Sequence, residues 1–123
     1  MFIEVRVQRK FRLTRSEDFK RVRQSGKSYA HPLLVLVTSS SPSSLRHVRV
    51  GVAAGKSAGG AVQRNRAKRL LREAARSCLD RLSPGFDLIL IARPPLVNAT
   101  LQETRAALEN LLRRAKILPT DEA

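Results

Sequence analysis

The run from Ala61 to Leu82, AVQRNRAKRLLREAARSCLDRL, constrains the fold more than any other part of the chain. At about 100° per residue, Ala67, Leu70, Leu71, Ala74, Cys78 and Leu82 fall on one face. Asn65, Lys68, Arg69, Arg72 and Arg76 fall on or beside the opposite face. The spacing predicts a helix over 61–82 whose single apolar stripe must lie on an apolar layer. The other face is unusual. Six cations stand between Arg64 and Arg76 against a single acid, Glu73. A solvated helix face mixes signs, because opposite charges one turn apart attract and like charges repel. This face costs stability unless a polyanion covers it. Arg64 and Arg66 follow Gly59-Gly60 at the start of the helix, where the backbone dipole is already positive. Cations there are poor for an isolated helix and good for holding phosphate.

The whole composition points the same way. The chain has 123 residues and a net charge of +14, with 42% apolar residues. That length suits one domain, and the apolar fraction excludes a disordered basic tail. Such a charge is beyond what solubility requires and fits RNA, DNA or an anionic surface. Of the cations, 18 are arginine and 6 lysine. Guanidinium forks match phosphate and stack on bases, although a genome rich in G and C would also raise arginine. A single cysteine, Cys78, excludes an intramolecular disulfide framework and a cysteine-rich zinc site, and it belongs to the apolar face. The longest apolar runs, Leu33 to Val37 and Leu88 to Ala92, are strand-sized. The first residues lack a signal-peptide pattern, so the expected location is cytoplasmic.

The remaining elements follow from local signals. Residues 2–7 alternate apolar and charged, and a basic lead-in follows through Arg15. Thr14-x-x-Glu17 reads as a capping box, with Ser16 as a rival cap, for a helix ending near Ser25 before Gly26. Residues 28–39 read as extended structure broken at Pro32, then a polar turn, then a strand from His47 to Ala54. Phe86 to Ala92 reads as a strand buried on both faces. Thr100-x-x-Glu103 opens a helix to about Lys116, with Leu101, Leu108, Leu111, Leu112 and Ala115 on one face. The order helix, strands, helix, strand, helix predicts an α+β domain of two layers, one sheet of about four strands packed with three helices. The RNA-binding domain is read as 10–118, with an extension at 1–9 and a frayed tail at 119–123.

Catalytic chemistry is thin. Gly51 to Ser57 imitates a phosphate-binding P-loop, but three residues rather than four separate Gly51 from Gly55, and Gly59-Gly60 falls where the helix should begin. His31 and His47 have no spaced partner, and Asp80 and Asp87 are not paired by spacing. Glu17-Asp18 suits the first turn of a helix. No carboxylate cluster suggests a metal-dependent nuclease. Aromatics make up only 4%, so extensive base stacking is excluded and structured RNA read through its backbone is favoured.

From Lys56 through Gly59 and Ala61-Val62-x-Arg64-Asn65-Arg66-x-Lys68-Arg69-x-x-Arg72-Glu73 to Arg76, the chain resembles the protein subunit of bacterial ribonuclease P. Arg12-Leu13, Asp18-Phe19, Arg49-Val50-Gly51 and Asp87 to Arg93 with Pro94 support the resemblance, which covers about residues 10–118. It implies a ribosomal protein S5 domain 2-like fold with a left-handed βαβ crossover. It also implies an accessory subunit of an endoribonuclease whose RNA, with magnesium ions, removes the 5′ leader of precursor tRNA. No protein side chain would be catalytic, and the protein would bind no metal or small-molecule cofactor. The implied partners are the RNA subunit and the precursor tRNA. Lys56, Arg64, Asn65, Arg66, Lys68, Arg69, Arg72 and Arg76 would face the RNA subunit. Arg12, Phe19, Arg23 and Val37 would line a leader groove between the first helix and the sheet. Arg23 and Val37 stand where the family often has aromatics, and Ser57 replaces a usual lysine, so charge should outweigh stacking here. Phe19 reads equally well as a core residue. The alternatives are a structural RNA-binding protein such as a ribosomal protein, and a stand-alone nuclease.

Overall fold

A computed structural model describes residues 12–13, 16–40 and 48–118. Helix α1 spans Ser16–Ser25. Strands β1 (Lys27–Ala30), β2 (Leu34–Ser40) and β3 (Arg49–Ala53) follow. Then come α2 (Ala61–Arg76), β4 (Phe86–Ala92) and α3 (Leu101–Arg114). The sheet order is β1-β2-β4-β3. β2 is antiparallel to β1 and β4, while β3 and β4 run parallel with α2 between them in sequence. This is the α+β arrangement expected, three helices on one mixed sheet. The readings at 2–7, Thr14, the 41–44 turn, His47, the 1–9 extension and the 119–123 tail lie outside the described residues.

The two faces of β4 explain the layering. Leu88, Leu90 and Ala92 join Leu34, Leu36 and Val50 on one face, beneath Ala67, Leu71 and Ala74 of α2 and Leu108, Leu111 and Leu112 of α3. Ile89 points the other way, to a smaller cluster with Leu13, Val22 and Val37 under α1. The reading of β4 as buried on both faces holds for this reason: helices lie over both of its faces and a strand lies on each side. Pro32 divides the extended stretch into two paired strands. His31 closes their turn, its Nδ1 accepting from the Leu33 N–H at 3.1 Å.

Two helices end earlier than their patterns suggest. α2 stops at Arg76, not Leu82. The Ser77 hydroxyl donates back to the Ala74 carbonyl at 2.7 Å, and Cys78 leaves helical geometry with φ −125°. A tight turn over Leu79–Arg81 then lets Leu82 reach the core off the helix, while Cys78 remains buried as read. α3 ends at Arg114, because Lys116 takes the left-handed conformation at φ 62°. The Lys116 and Ile117 N–H groups donate to Arg113 and Leu112, the paired bonds of a Schellman ending. The capping box at its start forms as read: Glu103 N–H donates to Thr100 Oγ1 at 3.0 Å and Thr100 N–H to Glu103 Oε1 at 2.8 Å.

Candidate nucleic-acid interface

The outer face of α2 is cationic from end to end. Asn65, Arg69, Arg72 and Arg76 are all exposed, one or two turns apart along it. The Arg69 side chain is 73% exposed and pairs with Glu73, at 3.5 Å. Lys68 and Arg64 lie half-buried on one flank. Arg64 Nε is buried and, among the described residues, has no hydrogen-bond partner. Arg66 lies exposed on the other flank. Its Nε–H donates to the Val97 carbonyl at 3.0 Å and its terminal nitrogen to Ala99 at 3.3 Å. Part of this guanidinium is spent tying α2 to the turn before α3. Val62 stands 78% exposed on the same outer face, beside these cations.

The start of α2 is open. Gly60 caps it with no side-chain hydrogen bond, and no acid occupies the first turn. Gly59 takes φ 118°, a conformation only glycine adopts readily, to swing the chain from the Lys56–Ala58 turn into the helix. Lys56 is exposed on that turn. The first N–H groups of α2 therefore face outward with cations on either side, a favourable setting for phosphate oxygens.

The opposite face of the sheet carries a cleft, and strand register defines it. Three rows of side chains cross this face. Ser39, Asp87 and Arg49 form the first. Ser28, Val37, Ile89 and Gly51 form the second. Ala30, Val35, Ile91 and Ala53 form the third. α1 lies over the middle row, with Val22 fully buried against it. Its flank with Asp18 and Arg21 turns to the first row through ion pairs with Arg49 and Asp87, and Phe19 and Arg23 lie on its other flank. The third row is left partly uncovered: Val35, Ile91 and Ala53 are half-buried and Ala30 is exposed.

The four expected groove residues thus separate. Arg23 is exposed and Phe19 half-buried, one turn apart on the open flank. Both readings of Phe19 have substance: its ring packs on the backbone of Gly51, where an added Cβ would stand 2.3 Å from its Cζ, and part of it stays accessible. Arg12 is half-buried on the strand-like segment that bridges to Val50. Val37 is corrected. It is 5% exposed beneath α1, in the middle row, and cannot line a groove. Val35, two residues earlier on the same face, lies outside the row that α1 covers and takes the open place, together with Ile91 across the sheet.

An ion-pair cluster in the first row was not legible in the sequence. Asp87 is 0% exposed and accepts two bonds from Arg49, Nε at 2.9 Å and a terminal nitrogen at 2.8 Å. Arg21 of α1 donates to the same carboxylate, to the Ser40 carbonyl at 2.9 Å and to Asp18 at 3.4 Å. The hydrogen bond that Arg49 donates to Asp87 raises the guanidinium pKa above its already high ordinary value. The signal available was that Asp18, Arg49 and Asp87 each sit in a segment supporting the family resemblance; only the fold brings the three together.

The arrangement defines a class: a small α+β protein with a cationic helix on one side of its sheet and a basic-flanked cleft on the other. The chain belongs to the Ribonuclease P family, whose profile matches residues 7–116. It is 42% identical over 111 residues to the ribonuclease P protein component of Herpetosiphon aurantiacus, covering 90% of this chain and 89% of that one. It is 40% identical over 114 residues to that of Chloroflexus aurantiacus, covering 92% and 83%. Among solved structures, the Staphylococcus aureus RNase P protein superposes with a TM-score of 0.78 at 31% identity, covering 89% of this chain and 98% of that one. The Thermotoga maritima protein, in complex with a fluorophenyl thiourea, gives 0.74 at 30%, covering 84% and 98%.

Proposed function

We propose that the chain joins the RNA subunit of ribonuclease P through α2 and holds the 5′ leader of precursor tRNA in the cleft beside α1. The observation that carries this reading is the outer face of α2, where Asn65, Arg69, Arg72 and Arg76 are presented together with one acid among them. Each cation placed on a phosphate releases a condensed counterion, so binding is strong and falls with salt. Lys56, Arg64 and Lys68 widen the footprint around the open helix start, while Arg66 fixes the angle of α2 and offers its remaining surface.

The cleft suits a single strand. Its floor of Val35, Ile91 and Ala53 is apolar and half-buried, and bases have apolar faces. Phe19 supplies one ring edge and Arg23 a charge for the phosphates passing it. With one aromatic in place of several, charge carries more of the binding.

The chain itself takes no chemical step in this reading. The carboxylates that approach each other, Asp18 and Asp87, are engaged by Arg21 and Arg49 and do not fit a divalent cation. Among the described residues, no three of His, Cys, Asp and Glu gather as a metal site. In this reading hydrolysis and its magnesium ions belong to the RNA subunit. Among those residues too, no helix is long and apolar enough to cross a membrane. The place of action proposed is the cytoplasm, with tRNA processing.

The test is reconstitution. Mixing the protein with its cognate RNA should lower the magnesium concentration needed to cleave precursor tRNA. The same magnesium dependence with and without protein would overturn the reading. Sequencing the RNA that co-purifies with the chain should return the ribonuclease P RNA; ribosomal RNA in its place would point to a structural ribosomal role.

A further inference from the structure

The reading above leaves the buried cluster at the closed end of the cleft without a role. α1 has 10 residues and only Val22 fully buried, too short to hold itself as an isolated helix and too lightly packed to fix its own tilt. Apolar contact is non-directional, so it keeps α1 on the sheet without setting its angle. Directional contacts must do that, and they are concentrated on one flank. Arg21 reaches β4 through Asp87 and β2 through the Ser40 carbonyl. Asp18 reaches β3 through Arg49, at 3.5 Å. Gly26, just past the helix, lies so close to β2 that a Cβ there would stand 2.6 Å from the Thr38 carbonyl oxygen. The other flank carries Phe19, whose ring lies on Gly51, and the exposed Arg23.

We propose that Asp87 is a positioning residue for the leader. By holding Arg49 of β3 and Arg21 of α1 on one carboxylate, it fixes how far the Phe19 and Arg23 flank stands above Val35 and Ile91, and so sets the width of the cleft. The inference rests on the leader reading of that cleft. The two-pronged contact from Arg49 fixes the carboxylate in plane, and its burial keeps water from competing for it. Asparagine keeps the shape but loses the charge and one acceptor, which releases Arg21 and lets α1 pivot.

The experiment uses the reconstituted holoenzyme and two precursor tRNAs, one with a long leader and one with the leader trimmed to a single nucleotide. Asp87→Asn should raise KM for the long-leader substrate by about tenfold. KM for the trimmed substrate, kcat and affinity for the RNA subunit should stay near wild type. Asp87→Glu should recover part of the loss. Arg21→Ala gives a second variant that folds more safely, because that side chain is 36% exposed, and it should shift KM in the same direction by less. An equal rise on both substrates, or an unchanged leader preference in Arg21→Ala and in folded Asp87→Asn, overturns the positioning role. If the wild-type holoenzyme itself treats both substrates alike, the leader reading fails first and this inference fails with it.

Discussion

Gly51 and Phe19 share one constraint. A methyl group at Gly51 would stand 2.3 Å from Phe19 Cζ and 2.9 Å from the Leu13 carbonyl oxygen, so the ring and the 12–13 segment cannot both stay in place. Gly51→Ala should cost about 1–3 kcal/mol of stability, as overpacking does, read as a shift in the urea midpoint. A stability within experimental error of wild type would mean that the ring is free to move aside. Cys78 gives a second prediction at this scale. Burial pushes its thiol up to about 11, with Arg81 pulling slightly the other way, against an ordinary 9.0. Between those two values the unfolded chain has lost the proton and the folded chain keeps it, so stability falls as pH rises through that window and is unaffected below it. Urea midpoints on either side of pH 9.0 should show the drop in wild type and a shallower one in Cys78→Ala. Equal slopes would place the thiol in contact with water. Reading Cys78 as core required only its helical spacing. Reading Asp87 as a clamp required its partners, 38 and 66 positions away in the chain, which no spacing rule connects.

Among the elements, α2 and α3 were the most legible, because each repeats its pattern over several turns. The cationic face of α2 gives a measurable consequence. Replacing Arg69 and Arg72 together with alanine should weaken binding to the RNA subunit and lower the slope of log K against log salt by about two at most, if each touches one phosphate. An unchanged slope would leave those side chains in solvent. The capping box of α3 has both of its hydrogen bonds, so Thr100→Ala should lower stability by about 1 kcal/mol. A loss too small to resolve in urea titration would show that Glu103 alone satisfies the helix start. Helix ends were less legible than helix bodies. The apolar stripe continues through Leu82, yet α2 stops at Arg76 because a serine hydroxyl and a tight turn offer the backbone other partners. Periodicity reports which side chains meet the core, and a side chain can meet the core from a turn as well as from a helix.

Across the whole molecule the net charge of +14 is opposed by few acids, and several of those are committed to structural pairs: Asp18 and Asp87 in the cluster, Glu109 with Arg81. The excess is therefore displayed, and it repels itself. Added salt should raise the thermal midpoint of the free protein over the low-salt range, by screening that repulsion. A midpoint that falls with salt from the outset would show that the ion pairs, and not the repulsion, dominate. Sequence by itself determined the class of elements, the sidedness of α2 and α3, and the kind of partner, because each is a property of neighbours along the chain: periodicity, caps and local charge. Tertiary structure alone decided which residues form the cleft. Two residues along one face of β2 separate Val37, sealed under α1, from Val35 on the open row, and strand register sets Asp87 beside Arg49. Pairing between strands is fixed by the packing of the complete sheet, so a reading confined to neighbours could find the charged helix but not the floor or the clamp of the cleft on the other side.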